Sequence, residues 1–273
     1  MTKRIISAAA LILLLIIALI IGNKAFLALG FIVNAIALYE YINVVDNNKK
    51  HLDLSKIIYI LLGTIMMFFA IIMPELLVPV LPVIVILITI NNILNKKYHS
   101  ETTIYSVFGI IYISLILSFM VIMINYLPNN QGLALITFGI LIAVATDSFA
   151  YIFGVKFGKH KLCPAISPKK SIEGSVYGLI FGIIAGIILY FIYTKYNILD
   201  LFLIDFIIMA IIDSILCQFG DLTASMIKRT FGVKDYGKLI PGHGGILDRI
   251  DGMLFSLAGT FFYVYIVINI LTF

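Results

Sequence analysis

Charged residues are scarce in this chain. Asp, Glu, Lys and Arg together make up 12% of its 273 residues, whereas 62% of the residues are apolar. Soluble domains carry roughly twice that share of charge, so this composition excludes a water-soluble core. Cysteine is scarce too: there are two, Cys163 and Cys217, and their spacing matches neither a metal-binding pair nor a redox pair. We therefore expect both cysteines to be structural.

Long apolar runs occupy most of the chain. Each run lies near the ~20 residues that a helix needs to cross a ~30 Å hydrocarbon layer. Because lipid cannot satisfy backbone hydrogen-bonding groups, each run is predicted to be a helix. The sequence therefore predicts an all-α polytopic membrane protein with about nine transmembrane helices. The predicted spans are residues 5–22, 25–43, 57–73, 76–95, 104–126, 133–155, 175–193, 201–219 and 253–272.

Basic residues fall almost entirely in alternate loops between these spans. All 19 Lys and Arg residues except Lys24 and Lys195 lie on the side that holds the N-terminus. Basic loops stay on the cytoplasmic side, so we predict a cytoplasmic N-terminus and an external C-terminus. We expect an integral protein of the plasma (cell inner) membrane whose active site faces the cytoplasm. The net charge of +5 reflects this topology and gives no reason to expect nucleic acid as a partner.

Two loops on the predicted cytoplasmic side are long enough to hold chemistry, residues 156–174 and 220–252. We interpret residues 127–273, which contain both loops, as a C-terminal transmembrane catalytic region. Residues 1–126 show only a hydrophobic pattern, and we interpret them as N-terminal scaffold helices that can also carry dimer contacts.

Three carboxylates flank the second loop: Asp221, Asp248 and Asp251. Asp248 and Asp251 are three residues apart, so on a helix their Cβ atoms lie ~5–6 Å apart on one face. Carboxylates that close repel each other unless a cation is present, and ligands that are all oxygen suit Mg²⁺. We therefore predict a Mg²⁺ site. The alternative is that acidic residues near a helix N-terminus simply complement the helix dipole.

The same loop is rich in cations and glycine. Glycine backbone can approach a ligand closely, and cations and amide N–H groups are the parts that phosphoryl transfer needs. His243 lies between two glycines, where it can donate to a phosphate or a leaving group; the alternative is a loop histidine without a role. The residues of this cluster are Lys228, Arg229, Lys234, Lys238, Gly242, Gly244, Gly245 and Arg249.

The first loop ends in a second basic segment. Ser167 can cap a helix and Pro168 can occupy its first position, which would place Lys169, Lys170 and Ser171 at the positive end of that helix. Such a helix end is an anion site. The alternative is a basic flank of a membrane span, which Glu173 fits poorly.

Asp147 and Asp213 lie inside the sixth and eighth predicted spans. Ionisable residues within a span are costly, which favours a functional role. Both lie at a depth of roughly 12 Å from the cytoplasmic end at 1.5 Å rise per residue. We predict that they line a shared polar cavity that can hold a second cation. Glu40 and Asp205 are interpreted as interfacial residues without an assigned role.

These polar residues form one extended motif. It reads Ser225-x-x-Lys228-Arg229, then Lys234-Asp235, then Pro241-x-His243-Gly244-Gly245-x-x-Asp248-Arg249-x-Asp251. This motif resembles the signature of the phosphatidate cytidylyltransferases, the CDP-diacylglycerol synthases of phospholipid biosynthesis. The resemblance continues upstream through Gly220-Asp221, residues 167–174 and residues 147–154, so it covers about the C-terminal half of the chain.

The resemblance implies the reaction of CTP with phosphatidate to give CDP-diacylglycerol and pyrophosphate, with Mg²⁺ as the cofactor and a homodimer as the assembly. It implies Asp221 and Asp248 as metal ligands, with Asp251 either as a further ligand or as a carboxylate that supports the ligands from behind. The expected catalytic residues are Asp221, Asp248, Lys228, Arg229, His243 and Arg249. The expected substrate-binding residues are Ser167, Lys169, Lys170, Ser171, Glu173, Ser225, Lys234, Asp235, Gly244 and Gly245.

Two other functions remain as alternatives. A CTP-dependent lipid kinase of the polyprenol or dolichol type needs the same metal and phosphate groups, but the full motif favours the cytidylyltransferase. An ion-coupled transporter would use Asp147 and Asp213 as ion sites, yet the sequence has no internal repeat and concentrates its charge in loops. A CDP-alcohol phosphotransferase is disfavoured because its DG-x-x-AR signature is absent from the sequence.

Overall fold

The computed structural model of the chain describes residues 2–46, 52–95, 100–242 and 244–268. Long helices dominate these residues, and eight helical segments among them are long and apolar enough to cross a membrane. The predicted all-α polytopic membrane fold is therefore confirmed. A further helix, α1, contains 20 residues. The ninth span, the orientation and the external C-terminus stay predictions.

The helices follow one another along the chain with short connections. Three short stretches of other helix type adjoin them: a 3₁₀ turn at Pro74–Leu76 and π-helical segments at Ile110–Leu115 and Tyr263–Ile268. The α-helices are α1 Thr2–Ile21, α2 Asn23–Val45, α3 Leu54–Ile72, α4 Leu77–Leu94, α5 Ser100–Gly109, α6 Ile116–Tyr126, α7 Gln131–Phe157, α8 Ile172–Lys195, α9 Leu203–Thr230 and α10 Leu247–Phe262.

The predicted loop at 220–252 is shorter than expected, because both flanking helices extend into it. Helix α9 continues to Thr230, and α10 already begins at Leu247. No glycine or proline interrupts residues 221–231, and Gly232 is the first residue to take a positive φ, of 66°. Asp221 and Lys228 therefore lie on helical turns and not in a loop.

The predicted loop at 156–174 contains a hairpin instead of an earlier helix start. Strand β1, Lys161–Cys163, pairs antiparallel with β2, Ser167–Ser171. The prediction that Ser167 caps the next helix is wrong, because Ser171 is the cap and its side chain accepts the N–H of Gly174 at 3.2 Å. Pro168 lacks an N–H donor but is tolerated in a strand at a sheet edge. Lys169 and Lys170 consequently lie on a strand and not at the start of a helix.

The helices form two compact units. Unit 1 contains Met1–Asn125 and Phe231–Arg249, and unit 2 contains Tyr126–Thr230 and Ile250–Thr272. The segment Phe231–Arg249, which the sequence analysis grouped with the C-terminal region, thus packs with unit 1. The interpretation of residues 127–273 as a catalytic region stays a prediction.

Aromatic residues hold the core of unit 1. The buried hydroxyls of Tyr41 and Tyr59 donate to the carbonyl oxygens of Tyr105 and Ser106 at 2.9 and 3.0 Å, which ties α2 and α3 to α5. Buried tyrosines usually find such partners. The ring of Tyr236 stacks on that of Tyr41, with 6.0 Å between centroids. The segment after α9 is therefore anchored on the aromatic core of unit 1.

A stripe of glycines on α8 organises unit 2. Gly174, Gly178, Gly182 and Gly186 recur every fourth residue and are all buried. A Cβ on Gly178 would lie 2.8 Å from the Thr146 carbonyl oxygen, and one on Gly186 would lie 2.7 Å from the Ala210 Cβ. Small residues at this spacing let membrane helices approach backbone to backbone. Helix α8 therefore lies directly against α7 and α9.

Candidate active site

Helices α9 and α10 cross at a pair of glycines in unit 2. A Cβ on Gly220 would lie 2.7 Å from the Asp251 carbonyl oxygen and 3.1 Å from the Gly252 Cα. A Cβ on Gly252 would lie 2.9 Å from the Cys217 Sγ. We call this contact of Gly220 and Gly252 the glycine seam. Because no side chain separates the two backbones, the seam brings Asp221 of α9 close to Asp251 of α10.

The seam gathers three carboxylates, Asp147, Asp221 and Asp251, which we call the acidic cluster. Asp251 is 8% exposed and is repelled electrostatically by Asp221 and, more weakly, by Asp147. Asp147 lies on α7, where its Oδ1 accepts a contact from the Cys217 thiol at 3.6 Å. Of the three, Asp251 is the buried one, and a buried carboxylate beside like charges is costly unless a cation compensates it. The cluster is thus a place that favours a positive partner.

Two lysines supply part of that compensation. Lys170 Nζ on β2 lies 2.7 Å from Asp221 Oδ2, and Lys228 Nζ on α9 lies 3.8 Å from Asp251 Oδ2. Lys228 is buried, 7% exposed, whereas the side chains of Lys170 and Asp221 remain a quarter exposed. The structure therefore brings together four of the predicted site residues as two pairs of opposite charge.

The hairpin reaches α9 through further polar contacts. Arg229 Nε donates to the Ile166 carbonyl oxygen at 3.4 Å, beside the start of β2. The Ser225 hydroxyl, one turn after Asp221, donates to Asp221 Oδ1 at 3.2 Å. The contact of Arg229 holds the end of α9 beside strand β2. The predicted roles of Ser225 and Arg229 in binding substrate stay predictions.

Glu173 has a local role that the sequence did not reveal. Its carboxylate accepts the backbone N–H groups of Lys159 and His160 at 3.1 and 3.2 Å and lies 2.6 Å from His160 Nδ1. It therefore shapes the turn between α7 and β1. On β2, Ser167 is partly exposed and Lys169 is exposed. Substrate contacts of all three residues stay predictions.

Asp213 lies in different surroundings from Asp147. It is fully buried, and its Oδ2 accepts the Thr260 hydroxyl at 2.6 Å. A Cβ on Gly139 would lie 3.7 Å from the same oxygen, so α7 also closes around the carboxylate. Asp147, by contrast, is exposed. A second cation held by both residues stays a prediction.

The acidic cluster offers carboxylate oxygens, which suit Mg²⁺, but only a few of them. Among the residues that the structure describes, no group of three or more His, Cys, Asp or Glu side chains converges as a metal site. Magnesium usually takes only one or two protein carboxylates and completes its shell with water and phosphate oxygens. Asp221 and Asp251 therefore fit such an ion as a pair.

The predicted ligand Asp248 belongs to unit 1, where it holds backbone. Its Oδ2 accepts the N–H groups of Tyr236 and Gly245 at 2.8 and 2.9 Å. Gly244 has φ of 90°, and a Cβ there would lie 2.8 Å from the same oxygen. Asp248 thus ties together two points of the segment that comprises residues 232–242 and 244–246, which we call the glycine loop. Its role as a metal ligand stays a prediction.

Glu40 on α2 is the residue that the sequence analysis missed. Its oxygens accept the N–H groups of Ile246 and Leu247 at 3.1 and 2.9 Å. A Cβ on either Gly237 or Gly245 would collide with its carboxylate. The contact joins positions more than 200 residues apart, and an acidic residue in an apolar span was the one available signal.

The glycine loop and the start of α10 enclose a cationic cavity of about 570 Å³. We call it the basic pocket. Lys234, Lys238 and Arg249 outnumber its one carboxylate, Asp235, and glycine backbone forms much of the wall. Its size is typical of small-molecule sites. Its lining consists of Lys234, Asp235, Gly237, Lys238, Ile240, Gly242, Gly244 and Arg249; His243 lies outside the described residues.

A second cavity, of about 280 Å³, lies in unit 2 and is largely apolar. It lies among β1, α8 and α9, and Gln218 Nε2 donates to the Ser175 carbonyl oxygen at 3.3 Å at its wall. We call it the apolar groove. Its lining consists of Leu162, Cys163, Ser175, Val176, Leu179, Ile215, Gln218, Phe219 and Leu222.

Comparison with known proteins gives a consistent result. The sequence pattern of the "Cytidylyltransferase family" matches residues 2–268. The phosphatidate cytidylyltransferases of Staphylococcus haemolyticus and Staphylococcus saprophyticus are 44% and 45% identical to this chain over 132 residues. That of Staphylococcus aureus strain COL is 43% identical over 133 residues. Each alignment covers 48% of this chain and 49% of the relative, so the chain spans about half the length of the curated relatives it matches.

Proposed function

The chain belongs to the cytidylyltransferase family, and we propose that it catalyses the reaction of CTP with phosphatidate to give CDP-diacylglycerol and pyrophosphate. The observation that carries the proposal is the acidic cluster with its two lysines. It lies in a chain whose described residues form eight helices long and apolar enough to cross a membrane. Such a site suits anionic phosphates and the metal that accompanies them, and the membrane setting suits a lipid substrate.

In the proposed reaction, a phosphate oxygen of phosphatidate attacks the α-phosphorus of CTP. The bond between that phosphorus and the oxygen that bridges to the β-phosphate breaks, and pyrophosphate leaves. Phosphatidate is already ionised, so the protein need not remove a proton with a strong base. The main tasks of the site are to cancel charge and to align the two anions.

The basic pocket supports the binding of CTP. Three cations line it, and the planar guanidinium of Arg249 can bind a phosphate through two parallel hydrogen bonds. Lys234 and Lys238 can add charge without fixing orientation. We assign the triphosphate of CTP to this pocket.

The acidic cluster supports a magnesium site. Mg²⁺ bound there would supply positive charge to the phosphate oxygens of a bound substrate. Asp221 and Asp251 would hold it, since their mutual repulsion is relieved by a cation. Lys170 and Lys228 then become available to the phosphate of phosphatidate, because each is paired here with one of these carboxylates.

The apolar groove supports the lipid part of the proposal. Its lining offers apolar contact to an acyl chain, and Leu222 directly follows Asp221 of the acidic cluster. We propose that a phosphatidate acyl chain enters here while its phosphate meets Lys170. We also propose a homodimer in the plasma (cell inner) membrane with these sites on the cytoplasmic side, as the distribution of basic residues favours.

The proposal is tested with the purified protein in detergent, supplied with phosphatidate, Mg²⁺ and either CTP or ATP. We expect pyrophosphate and a CDP-lipid in equal amounts with CTP, and neither product with ATP. An Asp221→Asn variant should lose most of this activity while a Glu75→Gln variant, changed far along the chain in the 3₁₀ turn, retains it. Release of CDP together with a phosphorylated polyprenol would assign the chain to the lipid kinases instead.

A further inference from the structure

Glu40 is a buried carboxylate inside an apolar helix. It is 5% exposed and lies in α2, which is long and apolar enough to cross a membrane. An ionisable residue in such a span is costly and persists where it meets a specific partner. Here the partners are backbone N–H groups of Ile246 and Leu247.

These N–H groups lie at the start of α10, where helices leave amides without intrahelical partners. A helix start of this kind can bind phosphate. In this chain protein carboxylates occupy three consecutive amides: Asp248 accepts that of Gly245, and Glu40 accepts those of Ile246 and Leu247. The anions of the basic pocket are therefore left to side-chain cations and not to these amides.

The Glu40 carboxylate also lies against an earlier part of the glycine loop, at Gly237. Gly237 and Gly245 both lie so close to it that neither position has room for a Cβ. Next to Gly237, the ring of Tyr236 stacks on Tyr41, the neighbour of Glu40 on α2. One side chain on α2 thus lies against the glycine loop at two separate points, at Gly237 and where the loop passes into α10.

We propose that Glu40 is a positioning residue for CTP: it holds the glycine loop in the shape that presents Lys234, Lys238 and Arg249 to the triphosphate. This inference rests on the proposed function. The role needs a carboxylate, because both oxygens accept N–H groups and the negative charge faces the positive end of α10. An amide can accept at one oxygen only and turns its own N–H₂ group toward the second donor.

The Glu40→Gln variant separates positioning from folding. We expect its KM for CTP to rise about tenfold, the factor for one lost hydrogen bond to a charged group, while its KM for phosphatidate stays within about twofold of the wild-type value. Hydrogen exchange of a peptide covering residues 240–247 should become faster by a similar factor, and this measurement does not depend on catalysis.

A Ser114→Ala variant is the matched control. It removes another buried hydrogen bond of α2 in unit 1, from the Ser114 hydroxyl to Asn34 Oδ1 at 2.8 Å, without touching the glycine loop. It should leave both KM values and the exchange of residues 240–247 unchanged.

Two results would overturn the inference. One is a Glu40→Gln variant with wild-type KM for CTP and wild-type exchange; the other is an equal rise of both KM values that Ser114→Ala reproduces. A wild-type protein that forms no CDP-lipid refutes the proposed function itself, and is recognised before any variant is compared.

Discussion

Adding one methyl group at the glycine seam should separate the carboxylates of the acidic cluster. In a Gly220→Ala variant the new Cβ would lie 2.7 Å from the Asp251 carbonyl oxygen, whereas ordinary Cβ contacts begin at 3.4 Å. The nearest atom is backbone and cannot turn away as a side chain can, so this collision is relieved only if α9 and α10 move apart by about 0.7 Å. Asp221 and Asp251 then move apart with their helices.

The consequence for catalysis follows from that distance. A misplacement of ~1 Å in an active site costs on the order of 100-fold in rate. We therefore expect kcat of Gly220→Ala to fall by roughly 10- to 100-fold. Overpacking of this kind also costs about 1–3 kcal/mol in stability, so the assay must compare turnover with the unfolding temperature in the same detergent.

Gly186→Ala provides the control for lost packing. Its Cβ would lie 2.7 Å from the Ala210 Cβ and 3.2 Å from the Phe206 carbonyl oxygen. This contact lies where α8 packs against α9, away from the acidic cluster. The variant should lower the unfolding temperature by a similar amount and keep kcat within about threefold of wild type. Equal kcat for the two variants would refute the claim that the glycine seam sets the geometry of the cluster.

Three further substitutions test individual residues. Arg249→Lys should raise the KM for CTP about tenfold in initial-rate kinetics, because an ammonium group cannot make the paired hydrogen bonds of a guanidinium. An unchanged KM would show that Arg249 does not bind the phosphates of CTP. Asp251→Asn should raise the Mg²⁺ concentration for half-maximal activity at least about tenfold, because one charged oxygen ligand is lost; a superimposable Mg²⁺ titration would contradict the metal assignment. Asp213→Asn should keep activity within about threefold, because an amide oxygen still accepts the Thr260 hydroxyl; a loss near 100-fold would favour a second cation at Asp213.

The helices could be predicted from the sequence because lipid imposes one solution on an apolar run of about 20 residues. Their ends could not. Hydropathy places the end of the eighth span at residue 219, yet α9 continues to Thr230 because nothing in residues 221–231 breaks a helix and because Ser225 and Lys228 are buried there. The strand Ser167–Ser171 was missed because Ser167 and Ser171 are equally good caps, and pairing with β1 decides between them.

Within the site, residue types were easier to predict than partners. Charge and spacing marked Asp221, Asp251 and Lys228, since carboxylates and cations that near in sequence are unusual in an apolar chain. The partner of Asp221, Lys170, lies on the other loop, and Glu40 meets Ile246 across most of the chain. Such contacts depend on tertiary packing. The glycines on α8 recur every fourth residue in the sequence, but only the packing of α7 and α9 against them shows what this spacing does.

Isotopic labelling of CTP distinguishes the transfer of a cytidylyl group to a lipid phosphate from the transfer of the γ-phosphate. The purified protein receives phosphatidate, Mg²⁺ and CTP labelled with ³²P at either the α or the γ position. We expect the α label to enter the lipid fraction and the γ label to leave as pyrophosphate. A γ label in the lipid fraction, or no label in lipid from either position, would refute cytidylyl transfer.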